Sequence, residues 1–296
     1  MSGGSSKAVA SAFQAEGEGS IPSSRSIYIV GGGMFGQVAA DFLRAKGLID
    51  ITIIDSREQY AATSCSGNLT KPSWITGLGK AAEQAYKDLD HLYGLIPIRA
   101  KAPLGRAVDL FAVPKFKNNN AVNARVLEIE DGRIKLQYPG EDPVWANSDI
   151  VLVAAGVWSG QLISMPPVEK IVGVSLTFLG KNHPAQFSIW APYKQAISYQ
   201  CSENEVWFGD GTAIKSSRFY EPERVAASIR RAESHGLFLN NLSRSCIGYR
   251  PYVKGYKNGY FARVYERIWV STGGGKNGIV LAVVQARKFW EELKQL

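Results

Sequence analysis

The residues best placed to do chemistry in this 296-residue chain are glycines, in two groups far apart. The first is Gly31-x-Gly33-x-x-Gly36, directly after the β-rich run Ile27-Tyr-Ile-Val30. Gly31 permits a tight strand-to-helix turn. Gly33 lets the backbone approach a pyrophosphate with no Cβ in the way, and Gly36 lets the following helix pack close to the strand. The helix start, at Met34 and Phe35, turns N–H groups and a positive dipole end toward the phosphates. Asp55, followed by Ser56, ends the next β run about 20 residues on, where a carboxylate accepts hydrogen bonds from ribose hydroxyls. An acid there repels a 2′-phosphate, so the pattern predicts a dinucleotide other than NADP. The second group, Gly273, Gly274, Gly275 and Gly278, lies within residues 271–282, STGGGKNGIVLA. A chain that returns near its C-terminus to complete a cofactor site reads as a flavoprotein, not a nicotinamide dehydrogenase.

Other groups surround these two. Residues 61–68, Ala-Ala-Thr-Ser64-Cys-Ser66-Gly67-Asn68, form a small polar stretch. It reads equally as a connector or as a loop that a bulky ring or diphosphate can approach. A buried strand running into Ala154-Ala155-Gly156-Val-Trp158-Ser159 lets the chain pass close to a bound cofactor. Arg250, flanked by Tyr249, Tyr252 and Tyr256, offers a planar fork suited to a carboxylate; a surface ion pair is the competing reading. Lys276 adds positive charge beside the second glycine group, or is a solvated lysine.

Composition is that of a globular protein, 45% hydrophobic and 20% charged, with no apolar run long enough to cross a bilayer. The net charge of +8 suits anionic partners, nucleic acid among them, but equally a basic enzyme. The three cysteines, Cys65, Cys201 and Cys246, are odd in number and widely spaced, which predicts reduced, intracellular thiols and no disulfide framework. The three histidines lack ligand spacing and read as packing or surface residues, so no metal is expected. Cytoplasmic location follows as the expectation. Residues 1–25, rich in Ser, Gly and Ala, lack the apolar core of a secretory signal and read as a disordered tail.

The elements that must position these groups follow from periodicity. A βαβ unit is predicted from a strand at 27–30, a helix at 34–46 and a strand at 51–55. A helix at 80–95 precedes an irregular interval, 97–120, with an exposed turn at 117–120. Strands are expected at 121–129, 132–138 and 144–154, separated by Asp-Gly and Pro-Gly turns. Between 171 and 212 the pattern becomes that of a mixed or antiparallel sheet. A helix at 221–234, strands at 259–264 and 268–271, and a terminal helix at 278–293 complete the chain. The fold class is α/β. A Rossmann-like cofactor domain with a parallel sheet is assembled from residues 26–78, 121–163 and 245–296. A β-sheet substrate domain, 79–120 and 164–244, is inserted.

In this order the motifs resemble the D-amino-acid oxidase superfamily of FAD-dependent oxidoreductases, glycine oxidase above all. Gly31-x-Gly33-x-x-Gly36 with Asp55 resembles its FAD-adenosine site. Residues 149–159 resemble its strand ending in A-A-G-x-W-S, and Gly248-Tyr-Arg250-Pro251 its G-x-R-P motif. Residues 273–282 resemble G-H-x-R-N-G-I-L-L-A, with Gly274 in the place of His and Lys276 in the place of Arg. The segment between Gly67 and Val122 is short for that family.

The resemblance implies FAD held by the first glycine motif with Met34, Phe35, Asp55 and Ser56. It adds Ser64, Ser66, Gly67 and Asn68, then Val126, Ala155, Gly156 and Trp158, and finally Gly273, Gly275, Lys276, Asn277, Gly278 and Ile279. It implies oxidation of an amine C–N bond by hydride transfer to flavin, imine hydrolysis, and peroxide formation from oxygen. Arg250, Lys276 and Gly274 would then line the reacting centre. Cys65 is not expected to bind flavin covalently, because its segment faces the diphosphate side. The expected substrate is a small amine or amino acid. The alternatives are the same group attached to nucleic acid, as in a tRNA-modifying flavoprotein with a similar Ser66-Gly67-Asn68 loop, and a non-catalytic flavin-binding partner of a complex.

Overall fold

A parallel sheet carries the first glycine motif on its central strand. The computed structural model describes residues 25–58, 61–71, 78–102, 106–114, 121–190, 194–211, 214–215 and 222–296. The expected tail, but for Arg25, and the expected turn at 117–120 lie outside the described residues. The strand order is Tyr260–Tyr265, Ile268–Thr272, Ile150–Val153, Ile27–Val30, Ile51–Asp55, Val122–Asn123. All pairs are parallel except the first. Ile27 pairs with both Ile150 and Ile51, so the central strand has a strand on either side, and helices and a second sheet cover its two faces. A fully covered strand has no polar face to present, which is why this run is almost entirely apolar.

Helices Met34–Ala45 and Gly278–Leu293 cover one face, and Phe42, Leu43, Val280 and Phe289 are buried with Ile29. The other face is covered by an antiparallel sheet of Arg125–Glu130, Arg133–Gln137 and Val144–Asn147, through Val126, Ile134 and Leu136. Gly132, at φ 84°, makes the expected turn between the first two of these strands.

The second large sheet is antiparallel but for one contact. Its order is Ile214–Lys215, Val168–Leu179, Glu205–Gly209, Lys194–Ser202, Gln186–Trp190, Ile96–Lys101, Ala107–Ala112, Leu69–Thr70. Leu242–Val253 pairs with Val168–Leu179, so Arg250 stands on this sheet opposite Ile171. Helix Pro222–Glu233 packs on the face away from the cleft, where Val225 and Ile229 meet Val172, Val174 and Leu176.

Two expectations are corrected. The interval 97–120 is not irregular throughout: Ile96–Lys101 and Ala107–Ala112 form an antiparallel pair. Its Lys and Pro residues mask the period because the strands lie near the edge of the sheet, with only alternate positions covered. The thiols of Cys65 and Cys246 are not reduced; they form a disulfide with Cα atoms 5.4 Å apart. Their separation of 181 residues carried no sign of this, because it is the sheet register and not chain distance that brings them together.

Candidate functional site

The two glycine groups meet at the wall of one cleft of about 1040 Å³. On the strand side, Gly31 takes φ 109°, and a Cβ there would lie 2.5 Å from the Ala154 carbonyl oxygen. A Cβ on Gly36 would collide with the Gly31 carbonyl. Only glycine lets the turn, the neighbouring strand and the helix approach this closely. Gly31 and Gly33 line the cleft, whereas Gly36 stands behind its wall. The Met34 N–H at the helix start donates to Thr63 Oγ1 at 2.9 Å, which ties the 61–68 loop to the helix N-terminus.

The terminal helix begins beside it. A Cβ on Gly274 would lie 2.8 Å from the Phe35 ring and 2.6 Å from Gly278 Cα. Phe35 therefore explains why no side chain stands at position 274. Gly274, Gly275, Asn277, Gly278 and Ile279 line the cleft; Gly273 is buried behind it against Val253. The side chain of Lys276 lies outside the described residues. Two helix N-termini thus converge on one cavity, a field that favours anions. Thr272 Oγ1 donates to the Gly156 carbonyl at 3.0 Å and joins the C-terminal strand to the Ala155-Gly156 turn. Ala155, Gly156 and Trp158 line the same cleft, as do Asp55, Ser56 and Val126. Asp55 Oδ1 accepts the Arg57 N–H at 2.8 Å, which fixes the carboxylate at the strand end.

Residues 61–68 separate this half from the antiparallel sheet, and Ser64, Ser66, Gly67 and Asn68 all line the cleft. The loop is held at several points. The Cys65–Cys246 disulfide and a bridge between Ala61 and Tyr249 tie it to the Leu242–Val253 strand. Gly248 allows this approach, since its Cβ would lie 3.1 Å from Ala62 Cα and from Cys65 Cβ. The Tyr199 hydroxyl donates to the Gly67 carbonyl at 2.6 Å, and burial pushes that phenol well above its ordinary pKa. The Trp207 ring lies against Gly67, whose Cβ would be 2.7 Å from it.

Arg250 lines the far wall and lies over Gly173, whose Cβ would be 2.6 Å from Arg250 Nη2. Burial lowers the guanidinium pKa and the charge of Asp210 raises it; an arginine stays protonated throughout. A half-buried guanidinium in a cleft wall can bind a carboxylate through two parallel hydrogen bonds.

The site residues read from the sequence therefore converge, apart from Gly36 and Gly273 behind the wall and the Lys276 side chain. Reasoning from sequence missed Thr63, Tyr199, Trp207 and Gly173. Thr63 stood inside a stretch already singled out. The other three lie on the antiparallel sheet, where alternation indicates a face but not what faces it. Two of the histidines pack against this sheet: His183 bonds Ser198 at 2.9 Å, and His235, 2% exposed, bonds Ser188 and Ser198 at 2.8 Å, whereas His91 is exposed on helix Lys80–Tyr93. Among the described residues no cluster of His, Cys, Asp and Glu could hold a metal ion.

The residues present fit a flavin dinucleotide. Turn glycines and two helix starts face one cavity, and two buried polar atoms of its wall residues, Asn68 Oδ1 and Trp207 Nε1, have no hydrogen-bond partner. Such atoms cost free energy unless a ligand or water meets them.

No family model and no curated protein sequence matches the chain. Solved structures do, and the chain has the fold of the FAD-binding oxidoreductases typified by glycine oxidase. Glycine oxidase from Geobacillus kaustophilus superimposes with a TM-score of 0.67 at 15% identity, over 92% of this chain and 95% of that one. Fructosamine oxidase (Amadoriase II) from Aspergillus fumigatus gives 0.63 at 13%, over 93% and 87%. Glycerol-3-phosphate dehydrogenase from Bacillus halodurans, complexed with FAD, gives 0.65 at 14%, over 92% and 64%.

Proposed function

We propose that this chain binds FAD and oxidises the C–N bond of an amine or amino acid carrying a carboxylate. The observation that supports this most is the position of Arg250. A half-buried guanidinium stands in the wall of the same cleft that the dinucleotide glycines line. The likeness to glycine oxidase and fructosamine oxidase, whose names specify C–N substrates, points the same way.

The start of helix Met34–Ala45 and Asp55 would hold the diphosphate and ribose. The 61–68 loop, Val126, residues 155–158 and the start of helix Gly278–Leu293 would enclose the rest. FAD, when bound, supplies the acceptance of a hydride and its passage to oxygen as hydrogen peroxide. The chain's own part is positional. Arg250 fixes the substrate carboxylate, the N-terminus of helix Gly278–Leu293 favours negative charge nearby, and Tyr199 and Trp207 exclude water. Residues 26–78, 121–163 and 245–296 are read as the cofactor domain and 79–120 with 164–244 as the substrate domain, with Leu242–Val253 bringing the two together.

Anaerobic titration of the flavin-loaded protein tests this reading. Glycine, N-substituted glycines, a fructosyl amino acid and an aminoacylated tRNA are added in turn while the visible flavin band is followed. Bleaching by a small carboxylated amine is expected. Bleaching by the tRNA alone would move the substrate to nucleic acid, and no bleaching by any of them would leave a flavin-binding protein without this activity.

A further inference from the structure

Strand Leu242–Val253 carries a second arginine to the cleft. Side chains alternate between the faces of a strand, so Arg244, Cys246, Gly248 and Arg250 share one face. Cys246 and Gly248 meet the 61–68 loop, and Arg244 and Arg250, on either side of them, both line the cleft. Arg244 is exposed, and among the described residues its guanidinium has no hydrogen bond or ion pair. Register sets what stands beside it. Arg244 pairs with Thr177, Thr177 with Trp207, and Trp207 with Tyr199, so these four form one row across the sheet. Ser175 follows Thr177 on the same face of its strand. Thr177 and Ser175 line the cleft, and their hydroxyls make no hydrogen bond among the described residues; Trp207 Nε1 is a buried donor without a partner. Carboxylates stay away from this row. Among the described residues the acidic side chains that line the cleft are Asp55 and Glu58, at and just after the end of strand Ile51–Asp55 in the other half. Glu205, two residues from Trp207, does not line the cleft and accepts Ser202 Oγ at 3.4 Å.

We propose that Arg244, with the Thr177 and Ser175 hydroxyls, forms a second anion subsite of this cleft, and that the substrate is an elongated amine with an acidic group at each end. The proposal rests on Arg250 being the anchor of the first carboxylate. A guanidinium without a protein partner, beside hydroxyls that lack acceptors, is a set of donors waiting for an anion, and a carboxylate meets it through charge-assisted hydrogen bonds. The two arginines are six residues apart on one extended strand, about 20 Å of backbone at roughly 3.3 Å per residue. Their side chains can shorten this span, but a ligand as small as glycine held at Arg250 does not cover it. Arg244 therefore selects among amines by the group farthest from the C–N bond and leaves the reacting end to Arg250.

Calorimetric titration of the flavin-loaded protein tests this, with acetate, the α,ω-dicarboxylates from succinate to sebacate, and the monoamide of each diacid as probes. The longest diacids should bind at least tenfold more tightly than their monoamides, while succinate, too short to reach Arg244, should stay within twofold of its own. Arg244→Gln should remove the preference of the long diacids and leave acetate within twofold, and Arg244→Glu should make the monoamide the tighter ligand. A long diacid that binds no better than its monoamide, or a preference that survives Arg244→Gln, overturns the proposal. Loss of acetate and diacid together in Arg244→Gln also counts against a separate subsite. Arg250→Ala distinguishes failure of the underlying reading: it should abolish acetate binding, and if acetate still binds, Arg250 is no anchor and the two-ended substrate falls with it.

Discussion

The two large sheets build their halves of the cleft by different means. The parallel sheet shapes its half with backbone: Gly31 and Gly36 bring strand, turn and helix together, and helix starts supply the polarity. The antiparallel sheet shapes its half with side chains, Arg250, Tyr199 and Trp207, each placed by strand register. Backbone chemistry needs few residue types at fixed local spacing. Side-chain chemistry on a sheet needs only the right face at the right register, which many sequences satisfy. On the proposed function, the first half would hold the common part of a dinucleotide and the second would choose the substrate.

The largest effect that would sharpen this contrast lies in the backbone half. A glycine within a helix ordinarily gains stability on replacement by a residue with a side chain. Gly36→Val should do the opposite, costing about 4 kcal/mol because its Cβ would meet the Gly31 carbonyl. Denaturant unfolding measures this, and flavin should be lost from the variant. A neutral result would remove the claim that backbone approach shapes this half.

Next in size is the covalent link between the halves. Replacing Cys65 and Cys246 by Ser should lower stability by about 3 kcal/mol, and a reductant should have the same effect on the parent protein only. Thermal unfolding with and without dithiothreitol reads this directly. If the two regions are independent, the loop will keep the flavin equally well in both states.

In the side-chain half, Arg250→Ala should weaken a carboxylate ligand by about 2 kcal/mol, roughly 30-fold, and leave FAD affinity unchanged. Parallel titrations of ligand and cofactor measure the two affinities. Loss of both together would blur the division between the sheets.

The smallest effect concerns the back of the antiparallel sheet. Burial, with the charge of His183, pulls the His235 pKa down to about 4. The folded state therefore holds His235 neutral while the unfolded chain takes up a proton below about 6.5. Since the unfolded state binds more protons in that window, stability falls as pH drops from about 6.5 through about 4. Unfolding midpoints across this range should show the loss, and His235→Gln should flatten it.

Legibility followed the same division. The βαβ unit, its glycines and Asp55, and the terminal helix Gly278–Leu293 could all be read along the chain, because local spacing carries their chemistry. The helix was placed at 278–293 and is found there. The pair Ile96–Lys101 and Ala107–Ala112 was not legible, since strands near the edge of a sheet with exposed alternate residues show no apolar run. Arg250 stood out by residue type, while its place over Gly173 did not, because the two lie on different strands and meet only through pairing.

The sequence by itself determined the strand, turn and helix start that Gly31, Gly33 and Gly36 shape, since a turn and a helix start are properties of neighbouring residues. Only the tertiary structure decided that Cys65 meets Cys246, that Phe35 fills the space beside Gly274, and that Arg250 lies over Gly173. These are contacts between distant segments, set by sheet register and close packing, and no spacing along the chain encodes them.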